Sequence, residues 1–174
     1  MLSSPSAAQQ FDPDHTRFGF EVRTRWGQRV SGEFPRYEGE VVRLADGRQQ
    51  VRIRLAADAV EVAGSPGYTA LARGEGFFDA ARYPLVEFVS EPITGARLHD
   101  GGALRGHCSI HGVVRTETFA LRPSTCARPG IDCDVVAHGT IRREDYGLDG
   151  WRFALRDQVR FNLRVRLRTD PLPP

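Results

Sequence analysis

Residues 157–168 read Asp-Gln-Val-Arg-Phe-Asn-Leu-Arg-Val-Arg-Leu-Arg, with an apolar side chain at every second position from Val159 to Leu167. A period of two is typical of a β-strand with one buried face. At roughly 3.3 Å per residue the segment would extend on the order of 35 Å, longer than an average strand. The pattern predicts the closing strand of a β-barrel, with its apolar face inward and its arginines in water.

Other parts of the chain show extended patterns of the same kind. The predicted strands are residues 17–23, 30–41, 51–55, 86–90, 104–110, 113–121, 135–142 and the final segment. One short helix is expected between the third and fourth strands, because Ser65-Pro66 suits a helix start and Gly74 a helix end. The connections are short, which favours antiparallel pairing. The sequence therefore predicts an all-β fold, a single antiparallel up-and-down β-barrel of about eight strands over residues 11–170, after a flexible tail at residues 1–10.

Composition and charge restrict the function classes. The 174 residues fit one domain, and all 24 basic residues are arginine against 22 acidic residues, a formal charge of +2. A nearly balanced charge spread along the chain disfavours a nucleic-acid partner. The sequence contains no apolar run long enough for a membrane span. The first residues lack a secretory leader pattern, which predicts a cytoplasmic location, with the periplasm as the alternative if the chain is a processed form.

The three cysteines leave two readings open. Cys126 and Cys133 flank a predicted turn and could form a disulfide in an oxidising compartment, or all three thiols, Cys108 included, could be reduced in the cytoplasm. The chain has no Cys-x-x-Cys pair, so we expect no structural zinc site and no other metal.

Catalysis has little support in the sequence. Side chains alternate between the two faces of a strand, so Cys108 points away from His107 and His111. A catalytic Cys/His pair is therefore not expected here. The two histidines would lie roughly 13 Å apart, too far to share a metal. His15, Asp145 and Tyr146 are the only candidates for a polar cluster at the barrel mouth, and we predict that the protein is not an enzyme.

The barrel interior is the predicted functional site. Its inward positions combine phenylalanines with glycines, and we expect the glycine side to leave room for a ligand. Because no inward charge is apparent, that ligand should be apolar. The predicted lining residues are Phe18, Phe20, Val22, Phe34, Phe77, Phe78, Phe88, Gly106, Ile110, Phe119, Gly139, Ile141, Tyr146 and Phe161. The alternative is a solid core in which aromatic rings fill the interior, typical of an interaction or structural module.

Several short motifs, taken in order, resemble those of the YceI-like family, over residues 11–168. They are Asp12-Pro13-Asp14-His15 before Phe18 and Phe20, Gly32-Glu33-Phe34, Phe77-Phe78-Asp79 with Tyr83-Pro84 and Phe88-Val89-Ser90, Leu104-Arg105-Gly106 with Ile110-His111-Gly112-Val113, and Gly-Thr-Ile-Arg-Arg-Glu-Asp-Tyr-Gly at residues 139–147.

This resemblance implies a lipocalin-like barrel that binds a long isoprenoid lipid, of polyprenyl or quinone type, in an apolar tunnel, for transport or storage and without catalysis or another cofactor. It also implies a homodimer. The chain departs from the family at Thr24, where a histidine is usual, and at residues 69–72, where the family has Asp-x-His-Leu and this chain has Thr-Ala-Leu-Ala.

Overall fold

The structure is a computed structural model that describes residues 8–169. It contains one curled antiparallel sheet of 11 strands, in the order β1-β4-β5-β7-β8-β9-β10-β11-β2-β3-β6. The strands are β1 Ala8–Gln10, β2 Arg17–Thr24, β3 Arg29–Glu33, β4 Tyr37–Arg43, β5 Gln49–Ala56, β6 Glu61–Val62, β7 Leu85–Ser90, β8 Gly102–Ile110, β9 Val113–Leu121, β10 Val135–Arg142 and β11 Leu155–Val165. Two helices, α1 Pro66–Arg73 and α2 Gly95–Asp100, and two 3₁₀ turns, Ala57–Ala59 and Arg143–Tyr146, complete the described chain.

The prediction of eight strands was wrong, for three local reasons. The extended segment around Pro35 divides into β3 and β4, since proline donates no ladder hydrogen bond. The short β6 pairs with β3, with Gly32 opposite Val62. Residues 8–10, predicted as part of a flexible tail, form β1 and pair with β4. The rest of that predicted tail, residues 1–7, lies outside the described residues.

The predicted closed barrel is corrected to a curled sheet with two edges, β1 and β6. Near β1 the curl is joined by a bridge between Phe11 and Leu167, the latter just beyond β11. The last strand pairs with both β10 and β2, and its residues Val159, Phe161 and Leu163 are buried as their alternation predicted. The inner face of this curl holds the hydrophobic core.

Helix α1 forms in the segment where the sequence predicted a helix, although it lies between the sixth and seventh strands. The hydroxyl of Ser65 accepts a hydrogen bond from the Tyr68 backbone N–H at 3.1 Å, and Pro66 occupies the first turn. Thr69 Oγ1 accepts from the Val62 N–H at 2.9 Å and fastens the helix to β6. Helix α2 was not predicted; none of its residues is buried, and Leu98 packs partly against the core.

The β9–β10 connection contains a disulfide between Cys126 and Cys133, whose Cα atoms are 6.2 Å apart. Of the two readings that the sequence left open, the structure thus has the disulfide and not three reduced thiols. Cys108 is a free and buried cysteine on β8. No helix in residues 8–169 combines the length and apolarity needed to cross a membrane.

Candidate functional site: an apolar cavity beside helix α1

An apolar cavity, here called the main cavity, lies between α1 and the inner face of β2, β10 and β11 and opens at the surface beside α1. Its volume is about 350 Å³, at the small end of the range for ligand pockets in proteins. Nearly all of its lining is apolar, and the residues with polar groups are Thr24, Tyr68, Arg143 and the two tryptophans, Trp26 and Trp151. Such a wall favours an apolar ligand of modest size.

The predicted lining residues separate into three groups. Six line this cavity: Phe20, Val22, Phe77, Phe78, Ile141 and Phe161. Phe88 and Phe119 line a smaller void deeper in the sheet, as does Phe161. The other six line neither this cavity nor either of two smaller voids in the sheet: Phe18, Phe34, Gly106, Ile110, Gly139 and Tyr146. Ligand contact remains a prediction for all of them.

Beyond the main cavity the interior is nearly filled. A second void of about 30 Å³ shares Phe161 with the main cavity, and a third of about 50 Å³ shares Ile53 and Leu163 with the second. The rings of Phe20 and Phe161 lie side by side, with centroids 6.3 Å apart, where the main cavity ends. The three spaces follow one another along the curl but are separated by side chains.

The expectation that strand glycines leave room for a ligand was wrong. A Cβ atom on Gly139 would come within 2.6 Å of Phe119 Cδ1, and one on Gly106 within 2.7 Å of Phe88 Cζ. At Gly32 the ring of Phe20 takes the same space. At each of these three glycines a phenylalanine ring from a neighbouring strand occupies the space that a side chain would fill. Such covering by an aromatic ring stabilises a sheet at its glycines.

The sequence also suggested that no charge points inward, and Arg143 contradicts this. It follows β10 in a 3₁₀ turn, lines the cavity and is only 2% exposed. The guanidinium donates to the carbonyl oxygens of Arg156, at 3.3 Å, and of Gly150. It stacks on the Phe77 ring, with Cζ 4.9 Å from the centroid.

No carboxylate within the described chain forms an ion pair with Arg143. The two that lie close enough to affect its pKa have other partners, Asp149 with Arg152 at 3.9 Å and Asp157 with Arg142 at 3.2 Å. Burial lowers the pKa of the Arg143 guanidinium. Its Nε has no hydrogen-bond acceptor among residues 8–169. The side chain can therefore donate to an oxygen of a ligand at little further desolvation cost.

The polar residues considered for catalysis do not come together. His15 pairs with Asp12 at 2.7 Å, whereas the Tyr146 hydroxyl donates to Glu117 Oε1 at 2.7 Å. Burial raises the pKa of Tyr146 well above its usual value, and it raises the pKa of the Cys108 thiol to about 12. Both groups thus keep their protons at neutral pH, and a protonated thiol is a weak nucleophile. Residues 8–169 contain no cluster of three side chains suited to a metal.

Sequence reasoning missed the residues that form the cavity mouth. They are Trp26 in the β2–β3 turn, Tyr68 and Leu71 on α1, and Trp151 and Phe153 between β10 and β11. Most lie in connections, where strand parity gives no information about direction. The signal that could have found them was the presence of both tryptophans of the chain in turns.

Comparison with known proteins identifies a family for nearly the whole chain. The model of the family described as YceI-like domain matches residues 9–167. No curated protein matches the chain at a significant level.

Several solved structures share the fold. BcnA of Burkholderia cenocepacia aligns with a TM-score of 0.72 at 17% identity, covering 91% of this chain and 99% of that one. A polyisoprenoid binding domain from Saccharophagus degradans, implicated in plant cell wall breakdown, gives 0.66 at 14% identity, covering 92% and 97%. The YceI protein of Campylobacter jejuni gives 0.59 at 15% identity, covering 80% and 85%.

Proposed function

The chain belongs to the YceI-like domain family, and we propose that it binds the apolar chain of an isoprenoid lipid in the cavity beside α1. The observation that carries this proposal is the almost wholly apolar wall around about 350 Å³. The structural neighbour from Saccharophagus degradans, a polyisoprenoid binding domain, supports the same ligand class. A polyprenyl or quinone lipid held for transport or storage is the form of this function that we favour.

The size of the cavity sets the length of ligand that it can hold. Burial contributes about 0.8 kcal/mol per CH₂, so one five-carbon unit adds roughly 3 to 4 kcal/mol at most. Association costs on the order of 4 to 15 kcal/mol, and several units are needed for tight binding. A chain of that length extends past Phe161 into the smaller voids, which requires the rings of Phe20 and Phe161 to move apart.

Arg143 gives the ligand an orientation. Its buried guanidinium suits a polar end group with acceptor oxygens, such as a quinone carbonyl or a phosphate, and the apolar tail then points into the curl of the sheet. The departures at Thr24 and residues 69–72 leave this arginine as the strongest donor in the cavity wall.

We propose binding without catalysis, supported by the protonated state of the buried Cys108 and Tyr146. The cytoplasmic location remains a prediction from the sequence, and the homodimer remains an expectation from the family resemblance. The disulfide supports the periplasmic alternative, because disulfides persist in oxidising compartments.

A second function, a solid-core interaction module, is favoured by one observation. The strand glycines are covered by phenylalanine rings, and the voids beyond Phe161 are small. In this alternative the cavity beside α1 is a surface hollow without a lipid ligand.

Lipid uptake by the purified chain separates the two functions. Native mass spectrometry after organic extraction and reloading with geranylgeraniol should show a one-to-one complex. The Arg143→Met variant should still bind geranylgeraniol but lose about tenfold in affinity for geranylgeranyl phosphate, the loss of one charge-assisted contact. Arg160→Met, on the exposed face of β11, is the matched control and should bind both lipids as the wild type does. No uptake of either lipid would favour the solid-core module.

A further inference from the structure

The exposed apolar side chains of this protein are concentrated at one place. Eight large hydrophobic residues are exposed in the described chain, and five of them line the main cavity. These five, Trp26, Tyr68, Leu71, Trp151 and Phe153, are here called the aromatic rim. A contiguous apolar patch of this kind marks an interaction site rather than chance exposure.

Three chain segments build the rim, and hydrogen bonds join two of them, the β2–β3 turn and the β10–β11 connection. Arg25 Nε, on the turn of Trp26, donates to the carbonyl oxygen of Arg152 at 2.6 Å. The rings of Trp151 and Phe153 pack with centroids 5.6 Å apart. Even so, Phe153 is 76% exposed and Trp26 66% exposed, so the rim is formed but not covered.

Arginines stand beside the rim aromatics. Arg25 precedes Trp26, and Arg152 lies between Trp151 and Phe153. One acidic residue, Asp149, faces Arg152 at 3.9 Å, with both side chains largely exposed. Tryptophan at headgroup depth with arginines around it is the combination that interfacial segments use on anionic bilayers.

We propose that the aromatic rim docks on the surface of an anionic phospholipid bilayer, with Trp26 and Phe153 inserted among the headgroups. The cavity opens inside this rim, so the surface that covers the rim is also a source of lipid, and an apolar chain can pass between them without crossing water. The docking itself is independent of the proposed function; only the passage of lipid rests on it.

The two tryptophans of the chain are both in the rim and provide an intrinsic probe. Vesicles of phosphatidylcholine with phosphatidylglycerol, free of isoprenoids, should shift the tryptophan emission to the blue and co-sediment with the protein. Pure phosphatidylcholine vesicles should bind less, and added salt should weaken binding to the anionic vesicles.

Variants test the residues directly. Phe153→Ser should weaken co-sedimentation by about tenfold, because a buried phenylalanine contributes at least that much. Val114→Ser is its control, since Val114 is 63% exposed on β9 away from the cavity. Arg152→Glu should weaken binding to the anionic vesicles and leave binding to pure phosphatidylcholine vesicles unchanged. Arg160→Glu, on the outer face of β11, should leave binding to both kinds of vesicle unchanged.

Absence of vesicle binding, or equal binding by Phe153→Ser and the wild type, would overturn the proposal. A dimer in size-exclusion chromatography that Phe153→Ser dissociates, without vesicle binding, would assign the rim to a second copy of the chain instead. The vesicles lack isoprenoids, so their binding tests the docking proposal alone. Uptake of geranylgeraniol in solution tests the proposed function separately.

Discussion

Phe119 on β9 lies against Gly139 on β10, so closely that a Cβ atom on the glycine would come within 2.6 Å of the ring. Phe88 and Gly106 have the same relationship on β7 and β8. Gly106 and Gly139 are therefore sites for aromatic rings from the adjacent strand. Space for a ligand arises instead where α1 and two connections stand away from the sheet.

Gly139→Ala should lower the free energy of unfolding by about 1 to 3 kcal/mol, because the ring of Phe119 has to shift in a packed core. Gly95→Ala is the matched control at the start of α2, where a Cβ meets nothing within 4 Å, and it should be neutral or slightly stabilising. Urea denaturation measures both. Equal stability of Gly139→Ala and the wild type would show that the Phe119 ring can move aside at no cost and that the core is not tightly packed at this position.

The glycine result shows one limit of sequence reasoning. Strand parity correctly placed Gly106 and Gly139 among inward positions, as it placed Phe161. Alternation shows only which face of the sheet each residue is on. The size of a cavity depends in addition on which aromatic ring of the neighbouring strand covers that residue. That choice requires the register and the rotamers, which the pattern does not contain.

Phe161→Ala should join the main cavity to the void behind it, at a cost of about 3 to 5 kcal/mol in stability. The variant should then favour a long prenol over farnesol more strongly than the wild type does. Phe18→Ala removes a buried ring that does not line the internal cavities, so it should lose similar stability without changing the preference. Competition binding measures the preference, and the same shift in both variants would contradict a separating role for Phe161.

The disulfide can be counted by alkylation. Under denaturing conditions without reductant, only Cys108 of the three cysteines should react, and after reduction all three should. Cys126→Ser should cost roughly 2 to 3 kcal/mol, the entropy of a short closed loop. Mass spectrometry reads the labels. Three labels before reduction would mean that the thiols are free and would restore the cytoplasmic prediction.

Cys108 predicts how stability changes at alkaline pH. Burial raises its pKa from 9.0 to about 12, so the thiol stays protonated in the folded state after it ionises in the unfolded state. The contribution of the protonated thiol to the free energy of unfolding is complete below pH 9, and it is lost as the pH rises towards about 12. Urea unfolding below and above pH 9 should show a smaller decrease for Cys108→Ala than for the wild type. Identical decreases would mean that the thiol is accessible in the folded protein.

The sequence predicted the long alternating strands well, because burial on one face imposes a period of two. It failed where the backbone leaves that geometry. Arg142 and Arg143 follow one another at the end of β10, and a 3₁₀ turn directs the second one inward. Helix α2 has Thr94 as a capping residue, whose side chain accepts from the Arg97 N–H, but Leu98 is its one large apolar side chain, which is too few to show a helical period in the sequence.

The two edges of the sheet are also its two shortest strands. Within residues 8–169, edge β6 has two residues and edge β1 has three, whereas β11 inside the sheet has 11. A sheet edge is a template on which other chains can add strands, and a short edge offers few unpaired backbone groups. Few backbone groups of β1 and β6 are thus open to edge-to-edge pairing, and a homodimer that shared these two strands would gain few hydrogen bonds.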